Sequence, residues 1–145
     1  DFCLSRGLGD VYKRQDHMYV SLFKAVQDAA AAALLSDQAC VKEQNERYEK
    51  RRDVWIRAVR EIGWHADAPQ GSFFAWMPVP AGYTSEAFSD LLLEKANVVT
   101  APGIGFGKHG EGYVRVGLLT SEDRLREAAS RIAKLNIFKK TGHSH

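Results

Sequence analysis

The chain has 145 residues, is 45% hydrophobic and 26% charged, and sets 20 Lys+Arg against 18 Asp+Glu for a formal net charge of +2. That is enough chain for one domain with a true core, and the composition excludes a disordered or disulfide-dense scaffold. Near-balanced charge leaves no nucleic-acid footprint, and no apolar run approaches the ~20 residues of a membrane helix.

No basic, then apolar, secretory pattern opens the sequence. Cys3 and Cys40 form neither a disulfide framework nor a metal spacing. The expectation is a cytoplasmic protein in a reducing compartment, with no membrane and no nucleic-acid partner.

In chain order, residues 1–15 carry no convincing period. They resemble a translated library linker and are expected to be non-native, with the natural frame starting near Asp16. From Asp10 to Ile62 neither glycine nor proline interrupts the chain, and Ala, Lys, Glu, Gln and Arg dominate, which predicts helix. Ser36-Asp37 is a natural N-cap, so two helices are predicted, over 25–35 and 38–62. In the second, Val41, Tyr48, Trp55, Val59 and Ile62 share one face. Glu43–Arg47 and Glu46–Lys50 are favourable i,i+4 pairs, and Glu49–Asp53 is a like-charged one. Gly63 is expected at the helix C′ position.

The period then changes. Residues 73–77, closed by Pro78 and Pro80, predict a short buried strand. Residues 85–96 predict a helix on Phe88, Leu91, Leu92 and Lys95, and 98–101 a short strand. Residues 113–118 predict a better strand, with Val114, Val116 and Leu118 on one face and Tyr113, Arg115 and Gly117 on the other. Thr120 and Asp123 suggest a capping pair opening a last helix to about Leu135, with Asn136 at C′. A flexible tail, 139–145, follows. Helices alternating with short strands give an α/β fold, long helices plus a small sheet. The expected division is 16–62 as two linking helices and 63–138 as a small domain.

Several signatures match in letters and fail in context. Gly105, Gly107 and Gly110 spell G-x-G-x-x-G but run into a strand instead of opening a helix, so they suit no dinucleotide. Ser21-x-x-Lys24 and Lys140-Thr-Gly142 echo serine β-lactam-recognising enzymes, without the accompanying S-D-N and with K-T-G in the tail. The five histidines show no metal spacing, and no metal is expected. Arg115 stands out: a planar fork on a valine-flanked strand, with Gly117 leaving room beside it and a glycine loop leading in. Two readings stand side by side, a carboxylate clamp and an arginine on the wet face of an edge strand.

PQGSFFAWMPVP (69–80) and LLLEKANVVTAPGIGFGKHGEGYVRVGLLTSEDRLREAASRI (91–132), in that order, resemble the C-terminal small domain of class I/II, fold type I aminotransferases. VSLFKAVQDAAAAALL (20–35) resembles the helix after the cofactor-lysine region of those enzymes. Among subfamilies the chain is most similar to bacillus-type methionine-salvage transaminases acting on 2-keto-4-methylthiobutyrate, then to diaminopimelate-type enzymes. The resemblance implies a homodimeric pyridoxal 5'-phosphate enzyme whose substrates are an amino acid and a 2-oxo acid. It implies that Arg115 pairs with the substrate α-carboxylate, that Gly103, Gly71 and Phe73 line the substrate side, and that Ser21 and Phe23 lie near the partner subunit's cofactor. None of the chain's lysines has the neighbourhood of the Schiff-base lysine, so a large domain upstream is expected to carry catalysis, and this stretch alone is expected to be inactive. The alternative is a non-catalytic carboxylate-binding or interaction domain.

Overall fold

The computed structural model describes residues 23–138. The linker-like stretch 1–15, Ser21, the K-T-G at 140–142 and the tail 139–145 lie outside the described residues. The chain divides into two compact units, Asp1–Val41 and Lys42–His145. The division falls well before Ile62, where the sequence pattern suggested it. The reason is that Trp55, Ile56 and Val59, on the second half of the long helix, enter the same core as the sheet.

In the first unit, α1 (Lys24–Leu35) is an alanine-rich helix with no buried residue. Lys24 pairs with Asp28 one turn on, at 2.7 Å on the open surface. Ser36 does not cap the next helix: its hydroxyl donates back to the Ala33 carbonyl at 3.0 Å, closing α1 instead. Gln38 donates to the same carbonyl.

α2 (Ala39–Glu61) begins in the first unit and carries the second unit's first core residues. Trp55 and Val59 are buried as the stripe predicts, and Tyr48 and Ile62 are partly buried. Val41 is exposed; Ile56 replaces it in the core. Glu43–Arg47 forms at 2.8 Å. The like-charged Glu49 and Asp53 are reconciled by Arg52, which reaches them at 3.1 and 2.7 Å. These two anions raise the Arg52 pKa, chiefly through its hydrogen bond to Asp53. The helix ends as expected at Gly63 (φ 90°), with Trp64 N–H donating to the Val59 carbonyl and Gly63 N–H to that of Arg60, the two bonds of a Schellman cap.

Three strands follow, β1 (Phe74–Pro78), β2 (Ala101–Pro102) and β3 (Tyr113–Gly117), in the order β1-β3-β2 with both pairings antiparallel. β3 is therefore central. Ala75, Met77, Val114 and Val116 face the core and are buried. β2 is shorter than the predicted 98–101 strand. Asn97, in the left-handed region (φ 53°), caps α3 (Ser85–Ala96) and commits Val98 N–H to the Leu92 carbonyl, while Pro102 offers no donor. On α3, Phe88 and Leu92 are buried and Leu91 half-buried, whereas Lys95 is exposed and Ala96 fills the core position.

α4 (Glu122–Ala133) buries Leu125, Ala129 and Ile132. The T-x-x-D capping pair does not form. Ser121 holds the N-cap position without a side-chain bond, and Asp123 is taken by Arg126 at 2.8 Å. Asn136 does take the left-handed conformation (φ 55°). Trp64 ties the layers together: its ring stacks on Phe138, meets Phe88 edge-on, and its Nε1–H donates to the Pro78 carbonyl at 2.8 Å. No described helix is long and apolar enough to cross a membrane.

Candidate functional site

Alternation along β3 sends Val114 and Val116 inward, so Arg115 must leave on the outer face of the sheet. It does so from the central strand, between Trp76 of β1 and Ala101 of β2 in register. That settles one point of the sequence reading: Arg115 is on no edge strand. It is half-buried, and its guanidinium carbon sits 4.1 Å from the Phe74 ring centre and 4.2 Å from that of Phe106. The two rings approach from opposite neighbours, Phe74 on β1 and Phe106 in the turn after β2. The Phe74 ring edge lies 3.8 Å from where a Cβ on Gly117 would stand, ordinary contact distance, so a methyl there would touch the ring without displacing it. The space the sequence reading saw beside Arg115 is thus filled by an aromatic ring. Among the described residues no carboxylate pairs with Arg115.

Phe106 is delivered by a tightly closed turn. A 3₁₀ turn, Gly103–Phe106, is followed by another, Lys108–Gly110. Gly103 is buried against the Gly110 backbone so closely that a Cβ would stand 1.9 Å from the Gly110 carbonyl oxygen. The turn is also tied to α3. Glu111 accepts from Ser85 N–H and from Ser85 Oγ–H, both at 2.8 Å, and Ser85 Oγ accepts from Ile104 N–H at 3.3 Å. Those donors, the backbone one first, hold the Glu111 carboxyl below its ordinary pKa.

Gly71 and Phe73 line a cavity of about 460 Å³ with Tyr48, Arg52, Pro69 and Ser72. Phe73 links it to the arginine: its ring lies 5.6 Å from Tyr48 and 4.6 Å from Phe74, which packs on Arg115. Arg115, Phe73 and the Gly103 turn are thereby brought into one row, whereas Arg115 does not line that cavity. Phe23 is 76% exposed in the first unit; Ser21 lies outside the described residues. Phe74, Phe106, Ser85 and Glu111 were not singled out from sequence. Phe106 stands in the P-G-x-x-F-G loop, which was a usable signal; nothing in the sequence couples Ser85 to Glu111.

The six described lysines (24, 42, 50, 95, 108 and 134) are all exposed, and no described carboxylate is buried. The described residues therefore do not form a cradle for pyridoxal phosphate, which needs a desolvated amine and an acid facing the pyridine nitrogen. No described group of three or more His, Cys, Asp or Glu could hold a metal.

This arrangement is the small α/β domain of a fold type I aminotransferase, and comparison with known proteins agrees. A family model described as aminotransferase class I and II matches residues 7–132. The chain belongs to that family, whose members depend on pyridoxal phosphate. It is 74% identical over 124 residues to the L-glutamine–4-(methylsulfanyl)-2-oxobutanoate aminotransferase of Bacillus subtilis (strain 168), covering 86% of this chain and 31% of that protein. It is 44% identical over 131 residues to the LL-diaminopimelate aminotransferase of Syntrophobacter fumaroxidans, covering 90% and 33%. Among solved structures, apo BacF of Bacillus subtilis superposes with a TM-score of 0.78 at 38% identity, covering 92% of this chain and 35% of that one. An aminotransferase from Staphylococcus aureus gives 0.79 at 32% identity, covering 88% and 34%. The chain spans about a third of the length of the curated relatives it matches.

Proposed function

We propose that this chain supplies the substrate clamp of a pyridoxal-phosphate aminotransferase, Arg115 pairing with the α-carboxylate as an amino group passes between an amino acid and a 2-oxo acid. The supporting observation is Arg115 itself. Its guanidinium is carried by the central strand, its carbon lies over two aromatic rings at 4.1 and 4.2 Å, and no described carboxylate takes its donors. A planar fork so held accepts a carboxylate through two parallel N–H bonds. The Gly103 turn is one wall of the substrate side, and Gly71 and Phe73 are another.

The Bacillus subtilis relative is named for L-glutamine and 4-(methylsulfanyl)-2-oxobutanoate, and at 74% identity that pair is the one we assign to the intact enzyme. The two helices before Gly63 link to the rest of that enzyme, the second also lending Trp55, Ile56 and Val59 to the core of the small domain, and Phe23 lies toward the cofactor of the partner subunit in a homodimer. The Schiff-base lysine belongs to a large domain outside these 145 residues, which alone do not transaminate.

Titration of the chain with 4-(methylsulfanyl)-2-oxobutanoate, wild type against Arg115→Ala, tests the clamp. Saturable binding that the variant abolishes supports it; equal binding by both proteins rejects it. Incubation with pyridoxal phosphate and borohydride tests the rest, since a lysine of this chain trapped in a stable, stoichiometric adduct would overturn the assignment of catalysis elsewhere.

A further inference from the structure

The two rings on Arg115 bear on how it recognises anything. A guanidinium has two faces and an edge, and its five N–H donors all lie in the plane and point outward from the edge. The guanidinium carbon lies over the Phe74 ring at 4.1 Å and over the Phe106 ring at 4.2 Å. Ring quadrupoles attract the cation at that distance. Rings that take its two faces leave it the edge, the part that meets a carboxylate in two bonds.

The rings are themselves held. Phe74 is fixed by β1 and by Phe73 at 4.6 Å. Phe106 is buttressed edge-on by Trp76 at 5.4 Å, and its turn is fastened by the Gly103–Gly110 contact and by the run from Ile104 N–H through Ser85 Oγ to Glu111.

We infer that Phe74 and Phe106 are positioning residues for carboxylate recognition: a two-ring vice that pre-sets the plane of the Arg115 guanidinium, with Ser85 and Glu111 as the latch that keeps Phe106 in place. The inference rests on the reading of Arg115 as the carboxylate clamp. Its physical content is preorganisation. An arginine whose plane is already set loses less rotational freedom when the ligand arrives than one that must be ordered by it. The vice also makes the site selective for planar, two-oxygen acids over spherical anions, because a single-point anion gains nothing from the fixed edge.

The test uses the full chain, isotope-labelled at arginine, titrated with 2-oxobutanoate and separately with chloride, while the Arg115 Nε–Hε resonance is followed. In the wild type that resonance is ring-shielded and responds to 2-oxobutanoate and not to chloride. Phe106→Leu is expected to release the shielding and weaken 2-oxobutanoate binding by about tenfold, the scale of one lost cation–π contact together with lost preorganisation. Phe106→Tyr restores both, and Ser85→Ala moves both partway, with far-ultraviolet circular dichroism confirming that each variant is folded. If Phe106→Leu leaves shielding and affinity unchanged, or Phe106→Tyr is as impaired as Phe106→Leu, the vice is overturned. If shielding responds to Phe106→Leu while Arg115→Ala binds 2-oxobutanoate as the wild type does, the vice holds the arginine but the clamp reading beneath it fails.

Discussion

Gly103→Ala is the substitution whose consequence follows most directly from distance. A Cβ on residue 103 would stand 1.9 Å from the Gly110 carbonyl oxygen and 2.5 Å from that of Tyr113, and real Cβ contacts stay beyond 3.0 Å. Both obstacles are backbone, so no side chain can swing away, and the turn must open by about 1 Å. Overpacking of that kind costs about 2–3 kcal/mol. With a urea dependence of about 2 kcal/mol per molar, the unfolding midpoint drops by about 1 M. Gly105→Ala, two residues on in the same turn, meets nothing within 4 Å and has no left-handed φ. It is expected within about 0.5 kcal/mol of wild type, or slightly stabilising through the unfolded chain. Phe106 ends this turn, so opening it at 103 must also move the ring 4.2 Å from Arg115 and weaken carboxylate binding, which Gly105→Ala leaves intact. Equilibrium unfolding and a 2-oxo acid titration of both variants measure this. Equal midpoints for the two, or a shifted midpoint with unchanged binding, would refute the link from turn to arginine.

Arg115→Lys keeps the charge and loses the fork; binding of a 2-oxo acid should fall at least about tenfold by calorimetry, the scale of one charge-assisted bond. Trp64→Phe removes the Nε1–H bond to the Pro78 carbonyl, whereas Trp55→Phe removes a buried N–H that has no partner among the described residues. Chemical denaturation should therefore show Trp64→Phe to be the more damaging by about 1 kcal/mol, although both indoles are buried. Glu111 has a lowered pKa in the folded chain, so its ionised form adds stability above the ordinary glutamate range (about 4.3) that is lost as pH falls through the lower folded value. The stability gap between wild type and Glu111→Gln, from unfolding midpoints across that acid range, should be full at neutral pH and close on acidification; a gap independent of pH contradicts the Ser85–Glu111 latch.

Local chemistry made much of the fold legible. The 85–96 helix was readable because the apolar spacing of Phe88, Leu91 and Leu92 lies within one stretch, and β3 because Val114, Val116 and Leu118 alternate without interruption. The same alternation put Arg115 on the outer face. What stayed hidden depends on competition or on distance. Asp123 is a good capping residue, but Arg126 on the next turn claims it. Val98 and Val99 look like strand, but the cap at Asn97 takes the Val98 donor. The neighbours of Arg115 were hidden most completely. Phe74 comes from a strand 41 residues earlier in the chain, its place over Gly117 set by an antiparallel register that no pattern within 74–78 encodes. Ser85 and Glu111 are 26 residues apart and meet only because the glycine turn folds back on itself.

This dependence gives the outer face of the sheet its character. The inner face is held by many buried contacts at once, Ala75, Met77, Val114 and Val116 sharing one core with residues of α2, α3 and α4. The outer face has no such redundancy. Arg115 is held by two rings, one ring by a turn, and the turn by a glycine contact and one carboxylate. Each link is a few ångströms long and exposed at one end. A half-buried guanidinium that no internal carboxylate engages keeps its donors for a ligand. A saturating 2-oxo acid that binds only the folded chain should therefore raise the unfolding midpoint of the wild type. Arg115→Ala, which lacks the fork, should show no such rise.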